Sequence, residues 1–219
     1  MTITVLAGVY YSRTDLAFFE GKLVVEDGIV EYLTVLALFM CAFLCFYRAS
    51  ILGPFKKNLF IISLIGMGFV FVFGVGEEIS WGQRLIGFKT PEFFLKYNTQ
   101  GEFNFHNLRF GGGTPTEKGF RVNRIIFGTG LGIAVAIYFL ILPVLYRKKE
   151  KVKILINRLA LPLPRNYHIL AYLILFGLVQ LIPTPKKGEI LEFGGCWIFL
   201  LMMFEPLNRE IFSRKLEKR

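Results

Sequence analysis

The residues of this sequence best suited to chemistry are carboxylates standing beside long apolar runs. Glu26, Asp27 and Glu31 open one run, Glu77 and Glu78 close a second, and Glu189 and Glu192 open a third. Asp27 and Glu31 are four apart and Glu189 and Glu192 three apart, so each pair shares one face of a helix. If the second run stays helical past Glu78, then Glu77, Ser80, Trp81 and Arg84 form one stripe. Carboxylates near hydrocarbon are costly unless they are paired, solvated or bound to a cation. Close carboxyl groups also drive one another's acidities apart, which suits general acid and base work.

The segment Asn98-Thr-Gln-Gly-Glu-Phe-Asn-Phe-His106 alternates with a period of two. In an extended chain Asn98, Gln100, Glu102, Asn104 and His106 face one way, and Phe103 and Phe105 face the other. Such a strip is expected to lie across the mouth of a helix bundle, polar side inward. The expected catalytic set is Glu78, His106, Glu192, Glu31 and Ser80, with Glu78 or His106 as the base. Arg84 is expected to hold an anionic headgroup or phosphate, with Trp81, Gln83, Asn98, Gln100, Glu102, Asn104 and Asn107 completing a substrate site. Glu77, Glu78, Glu189, Glu192 and His106 are the candidate ligands for a divalent cation, although no recognised metal spacing accompanies them. Each has a plainer reading beside it. Glu26 and Asp27 read as interfacial residues wetted by headgroup water, Trp81 and Trp197 as belt or packing residues, and His106 as a structural hydrogen-bonding residue.

The elements that must position these residues are read from hydropathy. The chain has 219 residues, 54 % hydrophobic and only 19 % charged, against about 25 % charged in soluble domains. The apolar residues fall in blocks at about 28–47, 58–80, 125–146, 166–182 and 188–204. The expected fold is therefore an all-α polytopic transmembrane bundle of about five spans, a single domain over 1–219 with one long outer loop at 84–124. Pro183 and Pro185 separate the last two blocks, which alternatively form a hairpin entering and leaving on one side. Met1–Ser12 lacks a basic leader and is too short to span, so it reads as interfacial. Gly111-Gly112-Gly113 reads as a flexible turn, because no phosphate-loop residues follow it.

The net charge of +10 arises from basic residues flanking the apolar blocks. That placement fits anionic lipid and topology signals rather than nucleic acid. One set of flanks (48–57, 147–165 and 207–219) holds three, seven and five Lys or Arg. The other (1–27, 84–124 and 183–187) holds two, seven and two. The first set is expected in the cytoplasm, leaving the N-terminus and the carboxylates that flank the first, second and fifth runs on the outer face. Cys41, Cys45 and Cys196 all lie in apolar blocks without zinc or redox spacing and read as inert thiols.

The run Gly76-Glu-Glu-Ile-Ser-Trp-Gly-Gln-Arg84, with Thr90-Pro91-Glu92 and Asn98-x-Gln-x-Glu-x-Asn-x-His106-Asn107, resembles a bacterial family of multi-pass membrane proteins. The resemblance extends to Glu26-Asp27-Gly28 with Glu31, and to Glu189 with Glu192. It implies a bacterial cytoplasmic (inner) membrane location and a set of residues that belong together, and it carries no activity with it. A looser similarity is to the ceramidase-like membrane hydrolases, which use a serine, acidic residues and several histidines around a metal.

Three function classes follow as expectations. The first is a membrane-embedded hydrolase or transferase acting on a lipid or lipid-linked substrate at the outer face. The second is a non-catalytic subunit or assembly factor bound to a membrane protein partner. The third is a proton or cation transporter component. No charge lies near the middle of any run and no inverted repeat is evident, which weighs against transport. Glycines at 66, 68, 74, 76, 128, 130 and 132 are explained by close helix contacts without a pore.

Overall fold

The structure, a computed structural model, describes residues 1–110, 120–121 and 123–215. The turn at Gly111–Gly113 and part of the 84–124 loop lie outside the described residues. Among the described residues the regular structure is helical apart from a two-residue antiparallel ladder, in which Arg109 pairs with Arg121 and Phe110 with Phe120, and one isolated bridge.

Among the described residues three helices are long and apolar enough to cross a membrane: α2 (Ile29–Leu52), α3 (Asn58–Glu78) and α5 (Gly128–Lys148). Around them lie α1 (Thr2–Thr14), α4 (Glu92–Tyr97), α6 (Glu150–Arg158), α7 (Asn166–Val179) and α8 (Lys187–Phe204). The spanning helices keep large apolar side chains in contact with their surroundings. Val70 is 67 % exposed and Ile62 63 % exposed, a pattern suited to lipid rather than water. In α5 the helix widens into π turns over Ile137–Ile141, just before Pro143. Proline at 143 clashes with the carbonyl four residues back, and a π turn absorbs that clash.

The expected spans differ from the helices in informative ways. The first helix continues to Leu52. The fourth block yields a helix of 14 residues, about 21 Å long at 1.5 Å per residue, because the chain turns at Gln180–Ile182. The N-terminal segment forms a 13-residue helix, with Val5, Gly8 and Ser12 buried against the bundle. Arg13 Nε donates to the Leu181 carbonyl at 2.9 Å and holds its end in place.

Packing follows three apolar clusters. Val5, Val30, Phe139, Leu175, Ile190 and Phe193 join α1, α2, α5, α7 and α8. Ala37, Cys41, Cys45, Leu200, Met202 and Met203 seal α2 against α8, so two of the free cysteines are core residues. Ala49, Leu52, Phe60 and Leu64 close the far end. There Asn208 donates to the Leu161 carbonyl at 2.9 Å and accepts from Leu163 N at 3.1 Å. His168 is buried: its Nδ1 accepts from Arg165 N at 3.2 Å and caps α7.

Near the acidic end, Lys186 Nζ reaches the carbonyls of Glu20 (3.3 Å) and Val24 (3.5 Å). These bonds tie the start of α8 to the segment preceding α2. The carboxylates of both helices are thereby brought to one end of the bundle.

Candidate functional site

The site begins where α3 ends. The helix stops at Glu78, and Ser80 (φ 47°), Trp81 (φ 54°) and Gly82 (φ 75°) follow in left-handed backbone. The expected stripe through Glu77, Ser80, Trp81 and Arg84 is therefore corrected: the helix does not continue. Left-handed backbone at two consecutive non-glycine residues is costly and persists only where the surroundings fix it. Here the Trp81 indole folds back onto Gly76, where an added Cβ would stand 2.8 Å from Trp81 Cδ2. Trp81 Nε1 donates to Glu77 Oε1 at 2.8 Å, and buried Ser80 Oγ donates to Glu102 at 2.6 Å.

Residues 98–108 do not form the expected extended strip. Gly101 (φ 70°) turns the chain, Thr99 N donates to Asn107 O at 3.0 Å, and Asn98 bridges Leu108, so the segment closes on itself. Buried Asn98 organises this loop. Its amide donates to the backbone and side-chain oxygens of Asn104 at 2.9 and 2.8 Å, and its Oδ1 accepts from Gln100 N at 2.8 Å. Gln83 accepts from Phe103 N at 2.7 Å and donates to Thr90. Phe103 packs on Phe88 and Phe94, and Phe105 packs on Phe73 and Phe94. The two phenylalanines thus point to an aromatic layer and the polar residues away from it, despite the folded backbone.

Glu77 fastens this loop to α3. Its Oε2 accepts from Phe105 N at 2.7 Å and His106 N at 2.8 Å, and lies 3.4 Å from His106 Nδ1. On the other side of the ring, Asn107 Nδ2 lies 3.1 Å from His106 Nε2. An amide nitrogen can only donate, and a carboxylate can only accept. A neutral ring with its proton on Nδ1 and its lone pair on Nε2 suits both neighbours.

A cavity of about 250 Å³ opens beside this ring. Its walls come from Glu26 and Glu31 at the start of α2, Glu78 at the end of α3, and Glu189 and Glu192 at the start of α8. Arg84 and the loop residues Gln100, Glu102, Asn104, His106 and Asn107 complete it. Within it Glu78 and Glu192 stand in hydrogen-bonding reach of each other. Gln100 donates to Glu26 and accepts from Asn107, linking the loop to α2.

Arg84 lines the cavity, but carboxylates already engage it. It pairs with Asp27 and Glu102 and stands 3.8 Å from Glu26. Burial alone would lower its pKa, but the hydrogen bonds it donates to Glu102 and Asp27 outweigh burial and raise the pKa above the ordinary arginine value. The guanidinium thus links the segment before α2, the left-handed turn and the loop while lining the cavity.

Of the expected site residues, Ser80, Trp81, Gln83, Asn98 and Glu77 build the walls from outside and do not line the cavity. The structure adds Glu26, which sequence reasoning read as a wetted interfacial residue, and Asp27, which anchors Arg84. Their adjacency to Gly28 and Glu31 was the signal. The expected metal set is not assembled. Among the described residues no three His, Cys, Asp or Glu side chains converge closely enough to hold a metal ion, and Glu77 is saturated by Trp81 and the loop amides.

No known protein family matches the sequence, no curated protein is significantly similar to it, and no solved structure matches its fold.

Proposed function

We propose that the chain is a membrane-embedded hydrolase or transferase acting on a lipid or lipid-linked substrate. The observation that carries this reading is the His106 ring. It is held between Glu77 and Asn107 at the wall of a cavity bordered by carboxylates from separate helices. A carboxylate behind Nδ1 orients an imidazole and stabilises the imidazolium that forms when Nε2 takes a proton. In the proposed reaction Nε2 removes a proton from water or a substrate hydroxyl. The Glu78–Glu192 pair returns a proton to the departing oxygen.

The charge of the site narrows the substrate. Arg84 is neutralised by its own partners, so the free polar groups of the cavity are mainly acceptors. A headgroup rich in hydroxyl or amine donors fits these walls better than a bare phosphate.

Five spans are part of this proposal, with α7 and α8 completing the crossings begun by the three long helices. So is the orientation, which puts the cavity on the outer face of a bacterial inner membrane with the C-terminus in the cytoplasm. The basic flanks at 147–165 and 207–219 support it.

A second reading draws support from a different observation. Ser80, Gln83, Arg84, Asn98, Glu102 and Asn104 are bonded mainly to one another, as expected of a fold-stabilising network in a non-catalytic subunit.

One experiment separates the readings. The full chain and its His106→Gln and Glu78→Gln variants are reconstituted into vesicles of total bacterial lipid extract, and the lipids are followed by mass spectrometry. The enzyme reading predicts a lipid species that declines with wild type and persists with either variant. Lipid composition unchanged by the wild type, with the chain co-purifying at fixed stoichiometry with a membrane protein, supports the subunit reading instead.

A further inference from the structure

At the other end of the molecule a basic, amphipathic helix follows directly from a membrane-crossing one. The backbone leaves the α-helical region at Lys149 (φ −125°, ψ 107°), where α5 ends, and α6 then runs from Glu150 to Arg158. Because α5 ends there, α6 begins where hydrocarbon gives way to headgroups. One face of α6 is held by the protein, with Ile156 buried and Tyr146 donating to Asn157 at 3.1 Å. The rest is open. Ile154 and Leu155 are 43 % and 55 % exposed, and Lys151 lies one turn before both. Lys148, Lys149 and Lys153 are exposed beside them, and Glu150, 3.8 Å from Lys153, is the sole acid between Arg147 and Arg165.

From this arrangement we infer that α6 and the turn before it form an interfacial surface that binds the anionic phospholipid headgroups of the chain's own bilayer. The exposed isoleucine and leucine enter the acyl boundary, and the lysines meet phosphate. Apolar side chains on a basic helix at this depth are stable only when a lipid surface receives both. A soluble acidic partner would satisfy the lysines and leave Ile154 and Leu155 in water. The inference concerns the opposite end of the molecule from the cavity and holds whatever the cavity does.

The test uses the full chain purified in mild detergent and offered equal amounts of phosphatidylglycerol and phosphatidylcholine, with bound lipid counted by native mass spectrometry. Wild type is expected to favour the anionic lipid by about tenfold, because each lysine near the surface contributes on the order of 1 kcal/mol, partly screened by salt. The triple variant Lys149→Gln, Lys151→Gln and Lys153→Gln changes exposed side chains only and is expected to lose most of that preference. Lys89→Gln with Lys96→Gln, exposed lysines outside this helix, is expected to keep it. Equal binding of both lipids by wild type overturns the inference, as does a triple variant with undiminished preference.

Discussion

Glu77 holds His106 twice: its carboxylate accepts from the histidine's backbone N–H at 2.8 Å and stands 3.4 Å from ring Nδ1. One side chain at the end of a helix long and apolar enough to cross a membrane thus fixes both the position of the loop and the orientation of the imidazole. The loop residues flanking His106 inherit their placement from the same acid, because Phe105 N also donates to it.

The first prediction follows from that double role. Glu77→Ala leaves two backbone N–H groups and the Trp81 indole without their acceptor, and each part-buried group stranded in this way costs up to about 1–3 kcal/mol. Thermal unfolding in detergent is expected to show a loss of several kcal/mol for Glu77→Ala. Glu77→Gln keeps an acceptor oxygen for the amides and should lose clearly less. Equal losses in the two variants would show that the amide bonds are unimportant.

Arg84 gives a prediction with a defined pH range. Its folded-state pKa is raised, so its contribution is complete below the ordinary arginine pKa and is lost only as pH climbs beyond the folded one. Its hydrogen bonds to Glu102 and Asp27 more than offset burial. The stability gap between wild type and Arg84→Gln is therefore expected to stay constant between about pH 7 and about pH 10. A gap that shrinks over that interval would show that the guanidinium is not held charged by these partners. Arg84→Lys is expected to recover only part of the loss, because an ammonium cannot present the planar fork that meets two carboxylates.

The left-handed turn supplies a third. Gly76→Ala places a methyl group where the Trp81 ring lies, 2.8 Å from Cδ2. In a Trp197→Phe background, where Trp81 is the sole tryptophan, the emission is expected to shift to longer wavelength as the indole leaves its seat. The accompanying destabilisation should be about 1–3 kcal/mol, as for other overpacked contacts. Unchanged emission would mean that the indole does not depend on Gly76.

These relationships mark what was legible in the sequence. The runs that became α2, α3 and α5 are long and nearly free of charge, so hydropathy alone finds them. Period-two alternation sorted Phe103 and Phe105 from Gln100, Glu102 and Asn104, because the sorting survives as long as side chains alternate locally. It did not reveal that Gly101 and the Asn98 side chain would close the segment into a loop. The end of α3 was misplaced by two residues, since no local preference favours left-handed serine and tryptophan. That turn is imposed by Glu77, Gly76 and Glu102, which act through tertiary contact. The carboxylates that engage Arg84 were not legible for the same reason. Asp27 is distant in sequence, and an arginine beside a membrane looks alike whether it awaits a phosphate or already holds a carboxylate.

The central claim is that carboxylates from three helices and His106 share one cavity on the membrane face opposite the basic helix α6. Single cysteines at Asn107 and Lys151, introduced into intact cells and treated with a membrane-impermeant maleimide, test it most directly. Asn107→Cys is expected to be labelled from outside and Lys151→Cys only after the membrane is opened. Labelling of both positions from the same side would contradict it.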